Sequence, residues 1–147
     1  MKVAVIMKRA HTCSPIATLH EAAGLMDAHR CGWLPVVAAG QLVGVLTDRD
    51  ITLAAYRSRK PLWDLQVAQA MTPDVRTCGP EDDIEVAETR MRSEHVRRLP
   101  VVDEQRRVRG FVSLSDLARG ALEIGAADHG LTRADVAETL AAVVDPK

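Results

Sequence analysis

Four short blocks of this chain occur twice at a nearly constant distance. Thr12-Cys13-x-Pro15 returns as Thr77-Cys78-x-Pro80, Met26 as Met91, and Leu34-Pro35-Val36-Val37 as Leu99-Pro100-Val101-Val102, each 65 residues on. Gly44, Thr47 and Asp50 return as Gly110, Ser113 and Asp116, 66 residues on. The one added residue falls between the third and fourth blocks, where a hairpin turn absorbs an insertion. A chain duplicated in this order folds as two similar units of about 50 residues, not as one irregular core. The boundaries read as a first unit over 1–57, a connector over 58–66, a second unit over 67–122 and a tail over 123–147.

Within the first unit, Leu19, Ala22, Ala23 and Met26 follow the i, i+3, i+4, i+7 pattern of a helix with one buried face. Gly32 is the expected end of that helix. Leu34 to Ala38 reads as a strand, with Pro35 near its start because proline cannot donate to a ladder. Ala39-Gly40 turns the chain, Gln41 to Leu46 returns, and a helix follows from Asp48 to Tyr56. Pro61 breaks the connector, and Val67 to Met71 has the length of a short helix. The second unit repeats the order: an extended Val75–Cys78, a helix carrying Ile84, Ala87 and Met91, strands Leu99–Val102 and Arg107–Val112, and a helix from Leu114 to Ile124. The tail has no counterpart. Thr132 with Asp135 marks a helix start, and Val136, Leu140 and Val143 line one face. The fold class is therefore α/β (α+β), two tandem units plus a C-terminal helix.

The chemistry concentrates where the second strand of each hairpin feeds a helix. In Thr47-x-x-Asp50 the threonine can accept from the first-turn amides and the aspartate can reach back to the threonine N–H, which caps a helix. The same amides can meet a phosphate, and an acceptor-only carboxylate can hold two vicinal hydroxyls. The residues alone leave capping and ligand binding both open.

Other features exclude more than they propose. Net charge is −1, against a general nucleic-acid binder. The arginines 97, 98, 106, 107 and 109 cluster at one hairpin, as a solvated edge or a phosphate contact. Three cysteines without a C-x-x-C, and five histidines without metal-ligand spacing, point to no metal. Cys13 and Cys78 occupy equivalent positions, most simply as small buried hydrophobes. No run approaches the ~20 apolar residues of a membrane span, so the expected compartment is the cytoplasm. No nucleophile–base motif or phosphate loop is present, and an enzyme is not expected.

The order, spacing and duplication of these blocks resemble a tandem pair of CBS domains, or Bateman module, over residues 5–57 and 67–122. Leu46-Thr47-Asp48-Arg49-Asp50-Ile51 and His95-Val96-Arg97-Arg98-Leu99-Pro100-Val101 are similar to small stand-alone bacterial members. The resemblance implies a β-α-β-β-α fold per unit, two units packed through their sheets, and a homodimer. It implies no required cofactor but an adenosine-containing nucleotide (AMP, ADP, ATP, NAD or S-adenosylmethionine) as regulatory ligand, with a separate effector protein as possible partner. It also implies two composite pockets. One joins Thr47, Arg49 and Asp50 with Thr77, Val96, Arg97, Arg98 and Pro100. The other joins Ser113 and Asp116 with Thr12, Gly32, Trp33 and Pro35. The first has the arginines that suit a phosphate tail. The second has Trp33, able to stack on a base or fill the space, and is the candidate for degeneracy. The alternative is a ligand-free oligomerising protein whose Thr47/Asp50 and Ser113/Asp116 only cap helices.

Overall fold

The computed structural model describes residues 1–123 and 131–144. They form two compact units: Ala10–Val75 with Gln105–Val108, and Met1–Arg9 with Arg76–Glu104 and the described part of Arg109–Lys147. The fold is mixed helix and strand with small antiparallel sheets, as the pattern of the sequence predicts.

In the first of these units, Thr18 caps helix α2 (Leu19–His29) and Glu21 returns the bond, its carboxylate accepting from the Thr18 N–H at 3.0 Å. Leu19, Ala22 and Met26 form the buried face. The helix ends at Arg30, in the left-handed region at φ 50°, and not at Gly32. Gly32 is needed for a different reason. A Cβ there would stand 2.5 Å from Asp48 Oδ2, and its carbonyl accepts from the Asp48 N–H at 3.0 Å. Strand β1 (Trp33–Ala38) pairs antiparallel with β2 (Gln41–Thr47) across the Ala39-Gly40 turn, whose positive φ angles of 50° and 75° suit a tight hairpin. Leu42, Gly44 and Leu46 face the core in strict alternation. Helix α3 (Asp48–Ser58) follows. After a 3-10 turn at Leu62–Asp64 and a short helix α4 (Val67–Ala70), strand β3 (Thr72–Pro73) adds to the free edge of β2. Ten residues from Cys13 to Val67 make the core, with Leu34 and Leu46 fully buried. Each such leucine contributes about 2 kcal/mol of burial.

The other unit repeats this plan. Helix α5 (Ile84–Glu94) ends at His95, φ 54°, the position equivalent to Arg30. Strands β4 (Arg98–Val102) and β5 (Val108–Ser113) form the hairpin, and α6 (Leu114–Glu123) follows; Ile124 lies outside the described residues. Lys8, just after the short helix α1 (Val3–Ile6), bridges antiparallel to Phe111, as β3 does to β2. The repeat boundaries and the packing units therefore differ. Residues 1–9 belong to the first repeat in sequence but pack with the second, while α4 and β3, in the second repeat, pack with the first. A matched pair of close approaches accompanies this exchange. A Cβ on Gly110 would meet the Lys8 carbonyl oxygen at 2.3 Å, and one on Gly44 would meet that of Thr72 at 2.6 Å.

Helix α7 (Arg133–Val144) packs on α5 and α6. Thr132 and Asp135 cap it reciprocally, as expected. Its buried face is Thr139 and Val143, with Val136 packed against the core, while Leu140 stays 49% exposed. Threonine replaces leucine on that face because the neighbour is polar. The Thr139 hydroxyl donates to buried Glu88 and accepts from Arg92 Nε at 3.1 Å. Arg92 also donates to Glu88 at 2.5 Å.

Candidate functional site

The two strand-to-helix junctions share a local design. Thr47 is the N-cap of α3: its Oγ1 accepts from the Asp50 N–H at 3.1 Å, and Asp50 Oδ2 accepts from the Thr47 N–H at 2.9 Å. At the second junction Ser113 Oγ accepts from the Asp116 N–H at 3.3 Å, and Asp116 Oδ2 accepts from the Ser113 N–H at 3.0 Å. Both are capping boxes.

They differ in what else reaches the carboxylate. Asp50 is half-buried, and among the described residues its Oδ1 has no hydrogen-bond or ion-pair partner. Asp116 is 4% exposed and saturated. Lys8 Nζ lies 2.6 Å and Arg119 Nη2 3.2 Å from Oδ1, while the Ser113 hydroxyl donates to Oδ2 at 2.5 Å. With the Ser113 amide these fill the roughly four acceptor sites of a carboxylate. Burial pushes the Asp116 carboxyl up, but the hydrogen bonds from Lys8 and Ser113 outweigh it and hold its pKa below the usual value.

Sequence reading missed the two cations, yet a signal existed. Val3-Ala4-x-x-Met7-Lys8 recurs as Val67-Ala68-x-x-Met71-Thr72, 64 residues on. The Gly110 and Gly44 contacts make Lys8 and Thr72 structural equivalents. The 66-residue offset places Leu53 where Arg119 stands. The first junction thus carries threonine and leucine where the second carries two positive charges.

Of the remaining candidates, Thr12, Gly32, Trp33 and Pro35 belong to the unit that holds Thr47, Arg49 and Asp50. Trp33 is the cross-strand neighbour of Thr47. Arg49 is exposed, with no ion pair among the described residues. Thr77, Val96, Arg97, Arg98 and Pro100 belong to the unit that holds Ser113 and Asp116. The Thr77 carbonyl accepts from Arg90 at 2.6 Å, and the Arg97 carbonyl accepts from the Leu114 N–H at 2.9 Å. Each expected composite pocket therefore draws on both units. Within single units, Trp33 pairs across the hairpin with Thr47, Gly32 touches Asp48, and Ser113 with Arg97 and Arg98 lines a cleft of about 380 Å³.

His95 Nδ1 lies 3.0 Å from the Ala142 carbonyl of α7, so its ring is turned to the tail. Arg106 Nη2 donates to the Leu42 carbonyl at 3.3 Å. Burial pushes the Cys13 thiol up to about 11 and the Cys78 thiol up to about 12, as inert core groups. Among the described residues no three His, Cys, Asp or Glu side chains group as a metal site, and no helix is long and apolar enough to cross a membrane.

Comparison with known proteins is consistent with this architecture. The CBS domain family matches twice, over residues 3–57 and 67–123. The CBS domain-containing protein YhcV of Bacillus subtilis is 38% identical over 82% of this chain and 85% of its own length. The CBS domain pair of protein MJ0100, solved with 5'-methylthioadenosine and S-adenosyl-L-methionine, superposes with a TM-score of 0.71 at 28% identity, covering 81% of this chain and 94% of that one. CBSX2, solved with AMP, gives 0.73 at 26% identity, covering 84% and 97%. The chain also matches curated enzymes, but spans only 22% and 30% of two IMP dehydrogenases.

Proposed function

The chain belongs to the CBS-domain family, as two copies in tandem, and we propose that it is a non-catalytic regulatory module that binds an adenosine-containing ligand at the Thr47–Asp50 junction. The observation that carries this reading is the contrast between the two carboxylates. Asp50 keeps an oxygen available to accept from a ribose diol, and Asp116 keeps none. Arg49 favours the phosphate; the first amides of α3 do not, since Asp48, Arg49 and Asp50 N–H donate to the Gly32 carbonyl, the Asp48 carboxylate and the Thr47 hydroxyl. Thr77, Val96, Arg97, Arg98 and Pro100 complete the pocket in this reading. The second pocket, around Ser113, Asp116, Thr12, Gly32, Trp33 and Pro35, is the weaker nucleotide site. The adenosine compounds held by MJ0100 and CBSX2 support the ligand class. The signal passes through the geometry of a homodimer or to a separate effector chain, and only a ligand that binds one state better than the other can send it.

Titration calorimetry with AMP, ATP, NAD and S-adenosylmethionine tests the assignment. Asp50→Asn is expected to weaken the preferred ligand at least ~10-fold, and Asp116→Asn to change it little. Equal losses from both variants overturn it. The capping boxes also favour a second reading, a ligand-free interaction protein in which both aspartates only cap helices. Thermal shift separates the two, because a ligand at 100 times its Kd adds about 2.7 kcal/mol of stability. No shift with any of the four at millimolar concentration selects the second.

A further inference from the structure

Helix α7 lies beyond the residues that the family shares, which end at 123. In its own unit it packs across the groove between α5 and α6. The contact that fixes it there is polar. The Thr139 hydroxyl donates to Glu88 and accepts from Arg92, and Arg92 also donates to the Asp135 carbonyl at 3.4 Å. His95, at the end of α5, meets the Ala142 carbonyl one turn further along.

The other unit has the same groove, between α2 and α3, and there it is a cleft of about 500 Å³. Its lining comes from α2, α3 and the turn after α2 alone. Offsets of 65 residues on α2 and 66 on α3 map this lining onto the seat of α7. Met26 and Ile51 keep the buried apolar floor that Met91 and Leu117 supply in the second copy. The polar positions do not match. Ala23 stands where Glu88 does, and Asp27 stands where Arg92 does. The seat is kept and its charge is inverted.

Asp27 and Asp48 are exposed, and among the described residues neither carboxylate has an ion pair. Against the single Arg30 they leave the rim net negative. A helix lying here as α7 lies on α5 and α6 has room for a long side chain at the position of Thr139, because Ala23 lacks the bulk of Glu88. A cation at the end of that side chain meets Asp27. The chain's own α7 does not suit the site. Its Thr139 is already bonded to Glu88 and Arg92, and here it would leave Asp27 unpaired. One turn beyond Thr52 on the same face of α3, Tyr56 is 79% exposed and extends the apolar wall.

We propose that the α2–α3 groove is a docking site for an amphipathic helix of a separate chain, with apolar residues at helical spacing and a lysine or arginine in the middle of its buried face. The α7 seat is the template for how that helix lies, and the negative rim selects a basic one. The inference gives a separate effector a surface to bind and does not rest on adenosine binding.

The experiment uses the full chain and a peptide of residues 131–144 carrying Thr139→Lys. A staple between positions 137 and 141, both exposed on α7, holds it helical. Protein-observed NMR titration reads both affinity and place. The Thr139→Lys peptide is expected to perturb Ala23, Asp27 and Thr52 and to bind at least ~10-fold more tightly than the same peptide with Thr139 retained. Asp27→Asn in the chain is expected to remove that preference, and Asp27→Lys to transfer it to a Thr139→Glu peptide. Asp27 is exposed, and unchanged melting curves check that both variants fold. Equal affinity of the lysine and threonine peptides, perturbation at α5 and α6 in place of α2 and α3, or failure of the charge exchange overturns the proposal. So does sedimentation that shows the wild-type chain as a dimer and Asp27→Lys as a monomer, which assigns the groove to a second copy.

Discussion

Lys8→Met isolates the interaction that separates the two junctions. Methionine keeps the length and the apolar stem of lysine and deletes only the charge. Lys8 Nζ stands 2.6 Å from Asp116 Oδ1, with the lysine side chain 49% exposed and the aspartate 3% exposed. A fully buried pair broken on one side costs ~3–5 kcal/mol, and a fully exposed one ~0–1 kcal/mol. This pair has one partner of each kind. Arg119 and Ser113 stay behind to share the carboxylate charge, so the expected loss is about 1–2 kcal/mol at pH 7.

The pH dependence gives the sharper check. The Asp116 pKa is lowered in the folded protein by Lys8 and Ser113 against the upward push of burial. A carboxyl with a depressed folded pKa contributes stability that is fully present above its unfolded value, about 4, and lost as pH falls through the folded value. Urea melts of wild type and Lys8→Met are therefore expected to differ by about 1–2 kcal/mol at pH 7, with the gap narrowing below pH ~4. A gap below ~0.3 kcal/mol at pH 7, or one that does not change on acidification, refutes the reasoning.

Gly110→Ala is expected to destabilise by about 1–3 kcal/mol or more, because its Cβ meets the Lys8 carbonyl, whereas Gly24→Ala, with open space around it inside α2, is expected to stabilise by about 0.5–1 kcal/mol. Denaturant melts of the two read the contrast, and a neutral Gly110→Ala contradicts it. Thr139→Val removes the hydroxyl shared by Glu88 and Arg92 and is expected to cost about 1–3 kcal/mol; increased protease sensitivity around α7 is the local readout. Of the three free cysteines, Cys31 alone is only half-buried. A thiol reagent at pH 8 is expected to label Cys31 quickly and Cys13 and Cys78 only on unfolding.

Much of the architecture was legible because it was written twice. Helices, hairpins and the α7 cap follow local patterns, and the second copy checks the first. The helix ends were less legible. Gly32 looks like a terminator, but the chain stops at Arg30 and at His95, both in the left-handed region. That conformation costs a non-glycine residue about 1–2 kcal/mol, and packing beyond the helix holds it there, which no local rule contains. The placement of residues 1–9 was illegible for a related reason. Two equivalent sheet edges exist, and the pattern of Val3 to Met7 suits both. Leu140 misled because apolar spacing does not reveal that the facing surface is Glu88, which calls for Thr139.

The difference between Asp50 and Asp116 is therefore decided by residues remote in sequence. To receive a ribose diol, Asp116 must give up the bonds from Lys8 and Arg119. Hydrogen bonds to charged groups contribute about 1.5–3 kcal/mol each, less where a partner is half exposed, while hydroxyls in their place are weaker donors without charge. The exchange is unfavourable. Among the described residues Asp50 has no bond at Oδ1 to give up, and Thr72 and Leu53 stand at the positions matching Lys8 and Arg119. Duplication supplied two similar caps, threonine in one and serine in the other. Two differences at matching positions, Lys8 against Thr72 and Arg119 against Leu53, make one cap a structural ion cluster; under the proposed function they leave the other free to accept a ligand.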